Sequence, residues 1–111
     1  MMKDPLSLQL SVAVIAFDRI SPFLLSAPCV VFGEAHPGCP PFDFKVCALE
    51  PGVLRTSAGF DLAIHHGLSV LRKADIIIVP SWRDPAEQPP IRLLKALKAA
   101  HARGARVVGL C

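Results

Sequence analysis

At 111 residues the chain has room for one domain at most. With 52% hydrophobic and 19% charged residues it is globular rather than disordered, and the uncharged stretch Ile20 to Phe32 is too short and too rich in Pro and Ser to span a bilayer. The formal charge of +3 is a mild excess carried by basic residues that are spread out and not interleaved with aromatics, so it reads as solvated helix faces rather than a nucleic-acid stripe.

Leu8 to Phe17 starts with alternation and becomes continuously apolar, the pattern of a central parallel strand. Asp18-Arg19-Ile20-Ser21-Pro22 is a turn, with Ser21 as N-cap and Pro22 at the first helical position. The helix it opens runs to about Phe32 and closes on Gly33, with a kink expected at Pro28. Glu34 to Pro41 is a loop, and Phe42 to Ala48 alternates as a second strand. After the Pro51-Gly52 turn, Val53 to Leu62 holds two short strands around Ser57-Ala58-Gly59. His65 to Lys73 is expected as a short helix. Asp75 to Pro80 is a buried β-branched strand, and Ser81 to Pro89 is a polar loop. Pro90 to Arg103 forms a helix with Ile91, Leu94, Leu97 and Ala100 or His101 inward and Arg92, Lys95, Lys98 and Arg103 outward. Gly104 caps it, and Ala105 to Leu110 is the last strand. Strands alternating with helices predict an α/β fold, a parallel sheet with helices on both faces.

Ligands of open α/β sheets bind beyond the carboxyl ends of the strands. Cys111 follows a strand and Gly109-Leu110, which is the first half of a strand-to-helix nucleophile elbow, so Cys111 is the candidate nucleophile. Its second half has no sequence to sit on, so the chain is expected to be part of a longer protein or a truncated product. The Ser81 and Trp82 backbone N–H groups stand where one side of an oxyanion hole would form, or else belong to an ordinary loop with Trp82 packed over the next helix. Asp18 closes a turn, caps the next helix or contacts a ligand. Adjacent His65 and His66 point to different faces of a helix, which suits a structural or solvated role.

Cys29, Cys39, Cys47 and Cys111 lack zinc-site spacing, so no metal is expected, and Cys29 and Cys47 read as small core residues. No phosphate-cradling glycine motif occurs, and no cofactor is expected. The N-terminus carries no export signal, which predicts a cytoplasmic chain without disulfides or membrane attachment.

Several runs together resemble one family. They include Val14-Ile15-Ala16-Phe17-Asp18, Ser21-Pro22-Phe23, Pro28-Cys29-Val30-Val31-Phe32-Gly33 and Glu50-Pro51-Gly52. Others are Val53 to Phe60, Asp75 to Pro80, Trp82-Arg83-Asp84-Pro85 and Ala99 to Cys111. The combination resembles the ThiJ/PfpI family, within the class I glutamine amidotransferase-like folds, and is most similar to the branch fused to AraC-type DNA-binding domains. The resemblance implies a flavodoxin-like sandwich, here an incomplete domain over residues 1–111, often dimeric. Enzymatic members pair the elbow cysteine with a glutamate on the first helix, four residues before Pro28, where this chain has Leu24. A leucine cannot hydrogen-bond the thiol or lower its pKa. The family's Gly-Gly after the strand-end proline is Ser81-Trp82 here, and its histidine just after the cysteine lies beyond Cys111.

The resemblance therefore implies a non-catalytic sensor and dimerisation domain of an AraC-family transcriptional regulator. Such a domain is expected to form a homodimer and to bind a small-molecule effector, for which the strand-end residues Asp18, Ser81 and Trp82 are the candidate contacts. It reaches DNA only through a C-terminal domain absent from this chain. The alternative is a ThiJ/PfpI-like cysteine enzyme (a hydrolase, amidase or hydratase) using Cys111. A remnant reading frame without function is the third reading.

Overall fold

The structure is a computed structural model that describes residues 9–110. Cys111, the candidate nucleophile, lies outside the described residues. Strand β1 (Ser11–Ala16) is the centre of the molecule, and Val12 to Ala16 are buried without interruption. It pairs in parallel with β2 (Asp43–Ala48) on one side and β5 (Ile76–Val79) on the other. Strand β6 (Arg106–Gly109) adds in parallel to β5, giving the order β2-β1-β5-β6. A strand buried on both faces must be apolar at every position, which is why β1 does not alternate while the edge strand β2 does.

Helix α1 (Pro22–Gly33) links β1 to β2, and helix α2 (Ile91–Ala102) links β5 to β6. A 3-10 helix, Leu68–Arg72, packs beside α2. The two crossovers run in opposite directions along the sheet, so right-handed connections place α1 on one face and α2 on the other. The predicted parallel sheet with helices on both faces is the observed architecture. A hairpin of β3 (Leu54–Arg55) and β4 (Asp61–Leu62) forms around Ser57-Ala58-Gly59 as expected.

Several local expectations need correction. Ser21 stands at the N-cap with extended backbone, but its side chain makes no capping hydrogen bond. Instead its carbonyl accepts the Leu25 N–H at 3.2 Å. Gly33 is not a left-handed cap: it is the last helical residue, and extended Glu34 ends α1. Glycine is favoured there for another reason, because a Cβ would sit 2.9 Å from a ring carbon of Phe44, which would have to shift. Gly104 does cap α2 in the left-handed region, with φ 98°. Its N–H reaches the His101 carbonyl at 3.0 Å. Helix α1 continues through Pro28, whose ring is buried.

The helix expected from His65 shrinks to the 3-10 turn. His66 instead forms a parallel bridge with Cys47, its carbonyl accepting the Ala48 N–H at 2.8 Å, so sheet pairing claims the backbone that helix would have used. Helix α2 is rotated relative to its expected face. Leu93 and Ala100 are buried with Ala96 and Leu97 packed behind them, while Ile91 and Leu94 are exposed. Strand β6 is exposed along its length.

Candidate functional site

Three loops leave the carboxyl ends of β1, β2 and β5 side by side, and they carry a lattice of charged groups. The loop after β1 begins with a turn from Phe17 to Ile20, closed by the Ile20 N–H on the Phe17 carbonyl at 3.1 Å. The turn puts Arg19 in the left-handed region, at φ 67°, which costs a non-glycine residue about 1 kcal/mol. That strain is held by the Arg19 N–H donating to the Arg55 carbonyl at 2.6 Å and by its guanidinium donating to Glu87 at 3.2 Å.

Asp18 is engaged almost entirely by Arg55. Its Oδ1 accepts the Arg55 backbone N–H at 2.8 Å and Nε at 3.2 Å, and its Oδ2 accepts Nη2 at 2.6 Å. The contact pins the β3–β4 hairpin against the end of β1. Hydrogen bonding to Arg55 holds the Asp18 carboxyl down to about 2, from an ordinary value of 3.8. The Asp18 backbone N–H donates to Glu50 Oε1 at 2.8 Å.

Arg83 is the hub. Its side chain is 10% exposed, and it forms a fork–fork pair with Glu87, Nε to Oε1 at 2.8 Å and Nη2 to Oε2 at 2.6 Å. Its Nη1 donates to Glu50 Oε2 at 2.5 Å and to the Asp18 carbonyl at 3.1 Å. The guanidinium lies 4.5 Å from the Trp82 ring centroid, and Trp82 packs on Phe17 with centroids 5.0 Å apart. The Trp82 indole N–H donates to the Glu87 carbonyl at 2.9 Å. Hydrogen bonding with Glu87 pushes the Arg83 pKa up, and the same contact pulls the Glu87 carboxyl down.

The structure thus brings Asp18 and Trp82 into one cluster, with Ser81 half-buried at the first position of the same loop. Trp82 packs over Phe17. Reading the sequence missed Glu50, Arg55, Arg83, Glu87 and Arg19. Glu50 had a signal, since it sits directly after β2 and so at the strand ends. Arg83 and Glu87 had the weaker one of complementary charges four apart. Arg55 had none, because the hairpin delivers it. Among the described residues, no group of three or more His, Cys, Asp or Glu side chains could hold a metal ion, and no helix is long and apolar enough to cross a membrane. Burial pushes the Cys47 thiol up to about 12, and burial also raises that of Cys29.

Solved structures share this fold. A Vibrio parahaemolyticus protein assigned as a transcriptional regulator superimposes with a TM-score of 0.75 at 17% identity, over 89% of this chain and 54% of its own. An AraC family transcriptional regulator from Pseudomonas putida gives 0.66 at 20% identity, over 90% of this chain and 55% of its own. A DJ-1 superfamily protein from Agrobacterium tumefaciens gives 0.66 at 13% identity, over 91% and 53%. The chain spans about half the length of these structures. No protein-family model matches the chain, and no curated protein matches it either. The fold is therefore the flavodoxin-like one that the resemblance implied, and the solved structures that share it include regulators and a DJ-1 superfamily protein.

Proposed function

We propose that this chain forms the larger part of the N-terminal sensor and dimerisation domain of an AraC-family transcriptional regulator, without catalysis of its own. The observation that carries this reading is the state of the carboxylates at the strand ends. Asp18, Glu50 and Glu87 are each committed to an arginine. Hydrogen bonds from Arg55 and Arg83 pull the Asp18 and Glu87 carboxyls below their ordinary range, which makes both poor proton acceptors near neutral pH. Where the resemblance puts a glutamate, α1 offers half-buried Leu24. Two of the solved structures with this fold are regulators by name, which supports the same reading.

A small-molecule effector in this scheme meets the cluster at Asp18, Ser81 and Trp82. To use Asp18 it must compete with Arg55. Dimerisation is supported by α1, a helix without a charged residue that leaves Phe23 at 76% and Val31 at 54% exposure. In this reading the sequence-reading helix-turn-helix units would lie beyond Cys111. The second reading, a ThiJ/PfpI-like cysteine enzyme, is favoured by the Gly109-Leu110-Cys111 pattern and by a solved structure of the same fold that is a protease by name. Reading the source frame past the Cys111 codon decides between them. Further sheet followed by two helix-turn-helix units supports the regulator. A histidine directly after the cysteine, in a frame that closes without a helix-turn-helix, overturns it.

A further inference from the structure

Folding gathers the cations that the sequence spreads out. The segments 62–74 and 88–111 hold seven of the twelve Lys and Arg residues and none of the nine Asp and Glu residues. The rest of the chain is left with five cations against nine carboxylates. The two segments meet where the 3-10 helix packs on α2, around a groove of about 570 Å3. Arg72, Arg92, Lys95 and Arg103 line it beside buried Leu71 and Ala100. Two of these cations are held in place. Arg92 donates to the Leu49 carbonyl at 2.5 Å, and Arg103 donates to the carbonyls of Leu71 and Ala74. Each guanidinium keeps further N–H donors and has already lost part of its freedom. The nearest carboxylate in sequence, Asp75, is turned to the Ser11 N–H at 2.8 Å.

We propose that this face of α2 binds the sugar-phosphate backbone of duplex nucleic acid. Arg92 and Arg103 stand eleven residues apart, about 16 Å along the helix. A row of that length does not converge on one small anion, but it suits a polyanion with a charge every few ångströms. No aromatic residue lies between Trp82 and the end of the chain, so the face has no platform for unstacked bases. That points to a duplex and to contacts that position rather than specify. The choice of a duplex over an acidic protein segment rests on the regulator reading, but the binding measurement tests this face alone, whatever follows Cys111.

The test is fluorescence anisotropy of a labelled mixed-sequence duplex titrated with the chain, at roughly 50 and 200 mM salt. Binding is expected to weaken with salt, with a log–log slope of about −3. The R72Q/K95Q variant, altered only at exposed rim positions, lowers that slope by about 2 and weakens binding several-fold. The A27E/A35E variant changes the net charge equally on the α1 side and keeps the slope. Absence of salt-dependent binding at the lower salt overturns the proposal. So does an equal loss in A27E/A35E, or polyglutamate binding as tightly as the duplex.

Discussion

Replacing Arg83 with Met keeps most of the apolar stem and removes the hub of the strand-end lattice. The wild-type guanidinium makes four hydrogen bonds, to Glu87 twice, to Glu50 and to the Asp18 carbonyl, and it stacks on Trp82. Breaking a fully buried ion pair costs about 3–5 kcal/mol, because the orphaned charge stays in a poor dielectric. An exposed pair contributes about 0–1 kcal/mol. This cluster lies between the limits, since Arg83 is 10% exposed while Glu50 and Glu87 are 26% and 32% exposed and can recruit water. A loss of about 2 kcal/mol is therefore expected, or about 1 M in urea midpoint for a small domain. Arg83→Lys keeps the charge but not the fork, and recovers about half. A double-mutant cycle with Glu87→Gln should return a coupling of about 1 kcal/mol. An unfolding free energy for Arg83→Met within about 0.5 kcal/mol of wild type would refute the reasoning and make the lattice an ordinary screened surface network.

Three further outcomes follow from the same geometry. Asp18 is depressed to about 2 in the folded chain from an ordinary 3.8, so its contribution is complete above pH 3.8 and lost as pH falls toward 2. Urea midpoints measured across that window should fall in the wild type and change less in Asp18→Asn. Burial and a raised pKa make Cys47 slow with iodoacetamide near pH 8 while exposed Cys39 alkylates readily, and peptide mass spectrometry that finds both modified at one rate contradicts the packing. Gly33→Ala should destabilise by about 1 kcal/mol, because the Phe44 ring 2.9 Å from the new Cβ outweighs a propensity gain of up to about 1 kcal/mol. A raised melting temperature would show that the ring simply moves aside.

The alternation of elements was legible because each signal is local. An uninterrupted apolar run marks β1, Pro22 marks the start of α1, and left-handed Gly104 marks the end of α2. The errors fall where a distant residue decides. Gly33 is glycine because of Phe44, eleven positions on, and no helix-end rule contains that ring. His66 joins the sheet because β2 offers its edge. Helix α2 turns Leu93 inward and Ile91 outward, a rotation that depends on its tertiary neighbours, the 3-10 helix and β6, rather than on its own sequence.

The candidate site was legible only by position. A rule about strand ends located Asp18, Ser81 and Trp82, but said nothing of what they would meet. Charge is the property that sequence reading handles worst here, because its meaning depends on which sign lies nearby in space. Arg55 and Asp18 are 37 residues apart and Arg83 and Glu50 are 33 apart, and each pair cancels at the strand ends. The cations of segments 62–74 and 88–111 have no carboxylate within their own segments, and the fold brings Arg72, Arg92, Lys95 and Arg103 around one groove beside α2. One mild net charge of +3 thus becomes a neutralised edge and a basic groove. That separation is physically informative: a carboxylate and a guanidinium that neutralise each other stabilise a loop, whereas an uncompensated row of cations lowers the free energy of any anion that approaches it.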